Sequence, residues 1–355
     1  MNQAEWRHQS GVRECLERGP LVTVQIDDSS GCTEQHADDA VIAGHVSSGA
    51  GVAIYVQHVH SEFLPRNTAP DPAGPTFLPS TDTFLVPNPP REIYSHGHHD
   101  SVLRSHRWRT AANSAAYLLA RLKSDDRLLD VGVGPGTITV DFANRLTDGT
   151  VVGIDAAPAA VAATQALVAE REARNVTLSV GDAYELEFPA GSFDVVHAHQ
   201  VLQHLSHPIT ALREMRRVCV LGGLVAVRDA DYAAMTWYPP SLELSRWLEL
   251  YHQVARSNGG EPDAGRRLLS WARAAGFEDV QASASAWCFA TPTDLAWWSE
   301  TWAERLSQST FAHQAVEQGL STSAELAELA QAWLRWGQLP DAWFSVLHGE
   351  ILCRG

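Results

Sequence analysis

Between Asp126 and about Tyr232 the chain alternates short apolar or β-branched runs with helix-like stretches, and this alternation constrains the fold more than any other feature. The runs are "RLLDVG", "TVVGID", "VTLSVGD", "FDVVHAH" and "LVAVRDA". Between them, apolar spacing predicts helices around Ile138–Leu146, Pro158–Arg174 and Ile209–Val218. Strands apolar on both faces need cover on both sides, which means a parallel sheet between helical layers. Each crossover should be right-handed. The expected class is therefore α/β, a Rossmann-like, doubly wound and mainly parallel sheet.

Beyond Tyr232 the chain turns helical. "SLELSRWLELYHQVA" and "RRLLSWARAAGF" read as amphipathic helices, the second stopped by Gly276. "EDVQASASAWCFA" and "AWFSVLHGEILCR" alternate like strands, with two helices between them, "TDLAWWSETWAERLSQ" and "SAELAELAQAWLRWGQL". Cover helices are thus expected at about 233–275 and 292–340, before the final strand of a seven-stranded sheet. Ten of the twelve tryptophans follow residue 230. Trp297, Trp298, Trp302, Trp333 and Trp336 either line an aromatic pocket or simply pack a core, since helical spacing predicts the latter as well.

Upstream, Val102 to Leu122 fits one helix with an apolar face. Proline is dense between Leu64 and Pro90 and no helical period runs between the prolines, so this stretch reads as extended linker. Residues 1–90 are expected to form a poorly ordered extension. Its two β-like runs, Leu21–Ile26 and one centred on Ala53–Val56, are too few for a sheet of their own. Residues 91–355 then form the main domain, with a ligand-binding core at 126–232.

A formal charge of −16 argues against a nucleic-acid partner, which needs a basic face. No run approaches the length of a membrane span, so no membrane partner is expected either. The five cysteines are scattered without a CxxC pair, which favours reduced thiols in a cytoplasmic protein. Homo-oligomerisation is left open.

The turn after the first strand reads "LLDVGVGPGT", with Gly132, Gly134 and Gly136 behind Asp130. A strand ending in a glycine turn that opens a helix brings backbone close to a ligand. A Walker loop requires Gly-Lys followed by Ser or Thr, and there is no lysine here. Counted from Gly132, the last glycine of a G-x-G-x-x-G dinucleotide fingerprint would fall on Thr137. D-x-G-x-G-x-G departs from that spacing.

This pattern resembles motif I of the class I S-adenosylmethionine-dependent methyltransferases, and further motifs follow in the family's order. Asp155 closes the second strand, nineteen residues past Gly136, where a carboxylate can accept from both ribose hydroxyls. Gly181, Asp182 and Ala183 follow the third strand, "VLQHLSHP" the fourth, and "RRVCVLGGLVAVRD" leads into the fifth. The likeness spans roughly Tyr94 to Gly355, and the tail fits the family's reversed final strand pair. It implies S-adenosyl-L-methionine as cofactor, held by Asp130, the three glycines, Asp155, Ala156, Asp182, Ala183 and Gln200. "YSHGHHDSVLRSHRWRTAANSAAYLL" resembles the N-terminal helix of the ubiquinone/menaquinone-biosynthesis-like branch, which makes Tyr94 and Arg109 partners for the cofactor's carboxylate. Helix packing with solvated arginines explains that segment equally well.

A methyl group on a sulfonium is already activated, so transfer needs mainly proximity and alignment. A general base is required only if the acceptor must lose a proton. His204 is the candidate, with His199 and His207 nearby in sequence, although most of the sixteen histidines must be structural. His96, His98 and His99 suggest a metal site only weakly, since no carboxylate or cysteine partners are evident, and no metal is expected. Asp194 reads as structural. Asp229 and Asp231 are either substrate contacts or a solvated turn. The expected function is methyl transfer to a small, hydrophobic acceptor, in secondary metabolism or quinone-like biosynthesis. The alternatives are a NAD(P)-dependent oxidoreductase on a similar fold and a non-catalytic cofactor-binding protein.

Overall fold

The computed structural model describes residues 108–355 in full and, upstream of them, the backbone of three short strands. These are β1 (Trp6–Gln9), β2 (Val12–Cys15) and β3 (Val22–Gln25), paired antiparallel in sequence order. β3 lies inside the expected run Leu21–Ile26, but it pairs with β2, which pairs in turn with β1, two strands that sequence periodicity did not reveal. The run at 53–56, the proline-rich stretch, Tyr94, His96, His98 and His99 lie outside the described residues. The chain divides into two compact units, Met1–Phe84 and Leu85–Gly355.

The second unit alternates as expected. β4 (Arg127–Val131), β5 (Thr150–Asp155), β6 (Val176–Val180), β7 (Phe193–His199) and β8 (Cys219–Ala230) are all parallel. β10 (Val280–Phe289) and β11 (Trp343–Arg354) complete the order β10-β11-β8-β7-β4-β5-β6. β11 runs antiparallel to both neighbours, giving the reversed final strand. An eighth strand, β9 (Thr236–Tyr238), pairs with β11 and was not expected, because three residues carry no periodicity.

On one face lie α1 (Ala111–Ser114), α2 (Ala116–Leu119) and α3 (Thr137–Arg145), packed through Leu118 and Phe142. On the other, α5 (Pro208–Val218) and α7 (Leu268–Ala274) share a cluster with Val196, Val225 and Val227. α4 (Pro158–Glu170) links β5 to β6. A third cluster gathers α6 (Leu242–Ser257), α8 (Pro292–Gln308), α9 (Thr310–Glu317) and α10 (Ser323–Trp336) over the ends of β8, β10 and β11. The starts of α6, α8 and α10 are capped by Ser241, Thr291 and Thr322, whose side chains accept from Leu244, Asp294 and Glu325 amides. Each cap satisfies a donor that a helix start otherwise leaves open. α9 adds a third helix between β10 and β11.

The single helix expected over 102–122 is instead broken within its described part. Thr110 and Asn113 form a reciprocal capping box, and the chain leaves helical geometry at Ala115. The Trp287 indole N–H donates to the Asn113 carbonyl at 2.8 Å, diverting an acceptor that a continuous helix would use.

Register places the polar strand residues. His199 pairs with Arg228, Arg228 with Glu350, and Ala230 with His348. Directly paired residues share a face, so His199, Arg228, His348 and Glu350 crowd together at the carboxyl ends of β7 and β8.

Candidate active site

The glycine turn is left-handed at all three glycines, with φ of +78°, +54° and +84° at Gly132, Gly134 and Gly136. Space also demands glycine at two of them. A Cβ on Gly132 would sit 2.4 Å from Val201 Cγ2, and one on Gly136 2.4 Å from Thr164 Cγ2. The Gly132 and Val133 amides donate to the Ile154 carbonyl, the Gly136 amide to the Val133 carbonyl, and the Gly134 amide to Asp155 Oδ2 at 3.0 Å. Pro135 has no N–H to give. Every amide from Gly132 to Gly136 is thus spent inside the protein, whereas a phosphate cradle needs them free.

Asp130 turns under this loop. It accepts from Thr139 Oγ1 at 2.6 Å and pairs with His197 Nδ1 at 2.8 Å, with all three side chains buried. Its carboxylate therefore ties β4 to α3 and β7. Asp155 stands half-buried at the end of β5, accepting from Gly134 and Ala157 amides, one on each oxygen. A carboxylate oxygen can take two donors, so each keeps capacity for a hydroxyl. Ala156 is exposed beside it. Asp182 is exposed beyond β6, with Oδ1 accepting from the Tyr184 amide at 2.8 Å, and Ala183 is half-buried next to it. The ends of β4, β5 and β6 thus present a glycine backbone and two acceptor carboxylates in a row, an arrangement that fits the hydroxyl and amino donors of an aminoacyl nucleoside.

Gln200 follows β7 with φ +53°, in the left-handed region that a side-chain-bearing residue seldom takes. Its amide N–H donates to the Arg228 carbonyl at 2.7 Å, and its Nε2 lies 2.8 Å from His348 Nε2. His348 Nδ1 faces the Val346 carbonyl at 3.1 Å. A carbonyl only accepts, so Nδ1 carries the hydrogen and Nε2 accepts from Gln200. The side-chain carbonyl of Gln200 stays out of that bond.

Gln200 also lines a narrow, largely enclosed recess whose walls include Trp108, Arg109, Tyr232, Met235, Trp287, Trp297, Trp298 and Arg305. The Arg109 guanidinium stands 5.6 Å from the Trp287 ring. Arg228, 1% exposed, bonds Ser285 and Glu350 through Nε and lies 5.0 Å from the same ring, while Nη1 and Nη2 have no partner among the described residues. Burial brings the Arg228 pKa down to about 10, so it stays charged at neutral pH. Burial, then the charges of Arg228 and Arg109, holds the pKa of buried His199 and His348 well below the usual histidine range. His204, half-buried on a 3-10 turn at Leu202–His204, is pushed down to about 3 by burial and Arg109. It is neutral at pH 7 and a poor base. His207 is exposed.

The methyltransferase-domain family model matches residues 129–227. An uncharacterized methyltransferase of Schizosaccharomyces pombe is 34% identical over 269 residues, covering 73% of this chain and 95% of the relative. The chain belongs to the class I S-adenosylmethionine-dependent methyltransferases. A demethylmenaquinone methyltransferase of Roseiflexus castenholzii is 32% identical over 169 residues, 47% of this chain and 66% of the relative. Among solved structures, phosphoethanolamine N-methyltransferase 2 of Haemonchus contortus is similar at 21% identity and a TM-score of 0.43, over 67% of this chain and 51% of that one.

Family membership sets aside the nicotinamide-dependent and non-catalytic alternatives and makes S-adenosylmethionine the cofactor of this methyltransferase. Of the five indoles expected either at a pocket or in a core, Trp297 and Trp298 line the recess, while Trp302, Trp333 and Trp336 are core. Trp108 and Trp287 at the recess were missed, as were Arg228, His348 and Glu350. Their signal was faint but real: polar residues at every second position of otherwise buried strands. Asp229 and Asp231 form no solvated turn. Asp229 is fully buried, accepts from the Gln203 amide at 3.1 Å and is pushed up to about 8 by burial. Asp231 pairs with Arg266 at 2.6 Å. Asp194 holds Arg127 through both oxygens. Among the described residues no His, Cys, Asp or Glu group is arranged to hold a metal, Cys219, Cys288 and Cys353 are free, and no helix is long and apolar enough to cross a membrane.

Proposed function

We propose that this methyltransferase acts on a small, hydrophobic acceptor seated in the indole-walled recess beside Gln200. The observation that carries this reading is continuity. Val201 packs against Gly132 of the loop, while its neighbour Gln200 forms part of the recess wall. Cofactor bay and acceptor recess therefore share one short stretch of chain.

In this reading Asp155 receives the ribose hydroxyls, Asp182 and Ala183 meet the adenine, and the glycine loop lies along the aminoacyl portion. Asp130 acts at one remove, fixing the loop through Thr139 and His197. S-adenosylmethionine, when bound, supplies a methyl group already activated by its sulfonium. The chain's part is to align the acceptor and exclude water, which the indoles do. His204 is not carried forward as a base, because a group with a pKa of about 3 draws little proton at neutral pH.

Titration calorimetry with S-adenosylhomocysteine tests the site. Asp155→Ala removes a charged acceptor whose two ribose bonds together contribute about 3 kcal/mol, or roughly a hundredfold in affinity. Unchanged affinity in the variant refutes the assignment.

A further inference from the structure

Gln200 stands where cofactor bay and recess meet, and it is held at both backbone and side chain. Its backbone sits at φ +53° with the amide donating to the Arg228 carbonyl at 2.7 Å. Its carboxamide is held from β11, 148 residues along the chain, with Nε2 at 2.8 Å from His348 Nε2. His348 has little room to yield. It is fully buried, its ring lies 4.3 Å from the Trp287 ring, and its Nδ1 hydrogen is committed to the Val346 carbonyl. His348 Nε2 can therefore only accept, so the carboxamide must offer its NH2 end. Turning the amide over would set two lone pairs against each other. The carbonyl oxygen Oε1 is left free of the imidazole, on a half-buried residue at the end of the sheet.

We propose that His348 is a positioning residue for the cofactor, fixing the Gln200 carboxamide so that Oε1 accepts from the α-ammonium of S-adenosylmethionine. This rests on the methyltransferase reading above and deepens it. The cofactor carries three kinds of hydrogen-bond donor. In that reading the ribose hydroxyls fall to Asp155 and the adenine amino group to Asp182, which leaves the ammonium. The ammonium belongs to the aminoacyl portion along the glycine loop, and Val201, next to Gln200, packs on Gly132 of that loop. A charged donor makes a stronger bond than a neutral one. A glutamine already held in place also gives up little rotamer freedom when the ligand arrives. A bond that merely satisfied the buried imidazole would leave cofactor affinity alone, and measurement separates the two roles.

Titration calorimetry compares S-adenosylhomocysteine with 5′-methylthioadenosine, which keeps the adenine, ribose and sulfur but lacks the aminoacyl group. His348→Leu is expected to weaken S-adenosylhomocysteine about tenfold, as for losing one bond to a charged group, and 5′-methylthioadenosine less than twofold. His348→Gln, which carries an acceptor oxygen to about the reach of Nε2, should restore most of the loss. Gln200→Leu should lose at least as much as His348→Leu, and the double variant no more than Gln200→Leu alone, because both act through one contact. If His348→Leu fails to fold, His348→Phe keeps a ring in the same space and provides the same comparison. Full affinity in the His348 variant, equal weakening of both ligands, additive losses in the double variant, or no recovery with His348→Gln overturns the proposal. Asp155→Ala is read on the same two ligands and should weaken both, since both carry the ribose. If it does so while the His348 variant binds normally, this inference falls and the cofactor site stands; if Asp155→Ala also binds normally, the site reading itself falls.

Discussion

Replacing Arg228 with methionine isolates the buried ion pair beneath the recess. Methionine keeps most of the side-chain length and removes the charge. Glu350, 5% exposed, would retain the hydroxyls of Ser283 and Ser285 but lose its only cationic partner among the described residues. Breaking one side of a buried pair costs about 3–5 kcal/mol, because the surviving charge stays desolvated. Two features place Arg228→Met toward the lower end. Two donors remain on Glu350, and the substitution removes Nη1 and Nη2, which have no partner among the described residues. A loss of about 3 kcal/mol lowers the melting temperature by roughly 6–12 °C. The sign with pH follows from linkage. In the variant the buried carboxyl folds most easily when protonated, whereas in the unfolded chain it ionises above about pH 4.3. The folded state then binds more protons, so the deficit grows with pH, by up to about 1.4 kcal/mol per unit. Urea unfolding of the wild type, Arg228→Met and Arg228→Met/Glu350→Leu at pH 5 and pH 8 measures this. The double variant should recover most of the loss and remove the pH slope. A single variant equally destabilised at both pH values would refute the argument.

Two further outcomes follow from the loop and the histidines. Gly136→Ala should destabilise the fold by about 2–4 kcal/mol, from left-handed strain and overlap with Thr164 Cγ2. Adding Thr164→Ser, which keeps the hydroxyl bond to the Gly134 carbonyl, should recover only the share due to Cγ2 in urea midpoints, because Cβ and Oγ1 of residue 164 stay 2.9 Å from the added methyl. The folded-state pKa values of His199, His204 and His348 lie below the unfolded value near 6.5, so the unfolded chain takes up protons first. Stability present above pH 6.5 is therefore lost as pH falls below it. His199→Phe should flatten that decline between pH 6.5 and 4.5, since neither ring nitrogen of His199 has a partner to lose; an unaltered slope would show that His199 does not contribute.

Local periodicity was enough to read the strands from Arg127 to Ala230, because burial on both faces writes itself into consecutive apolar residues. It also located the glycine loop and the strand-end positions of Asp155 and Asp182, since turn geometry lies within a few residues of a strand end. What stayed hidden depended on distant partners. The break between α1 and α2 is made by an indole 174 residues away. Arg228 shows its partner only when β11 brings Glu350 against it. Asp229 and Asp231, read as substrate contacts or a solvated turn, are instead tied to Gln203 and Arg266. His204 looked like a base from its residue type alone, and only its surroundings show how weakly it holds a proton.

The position of β11 has a consequence for biosynthesis. It is made last among the described strands, yet it enters the sheet between β8 and β10 rather than at an edge. While residues 343–354 are still being synthesised, β10 has no neighbour to pair with, Arg228 lacks its counter-charge and Gln200 lacks the imidazole that anchors it. A nascent chain can assemble β4 to β8 early, but its recess closes only once β11 has been made. Until then an unpaired β8 edge is open to other chains. Ribosome-bound intermediates of this protein should therefore lean on chaperones until β11 has joined the sheet.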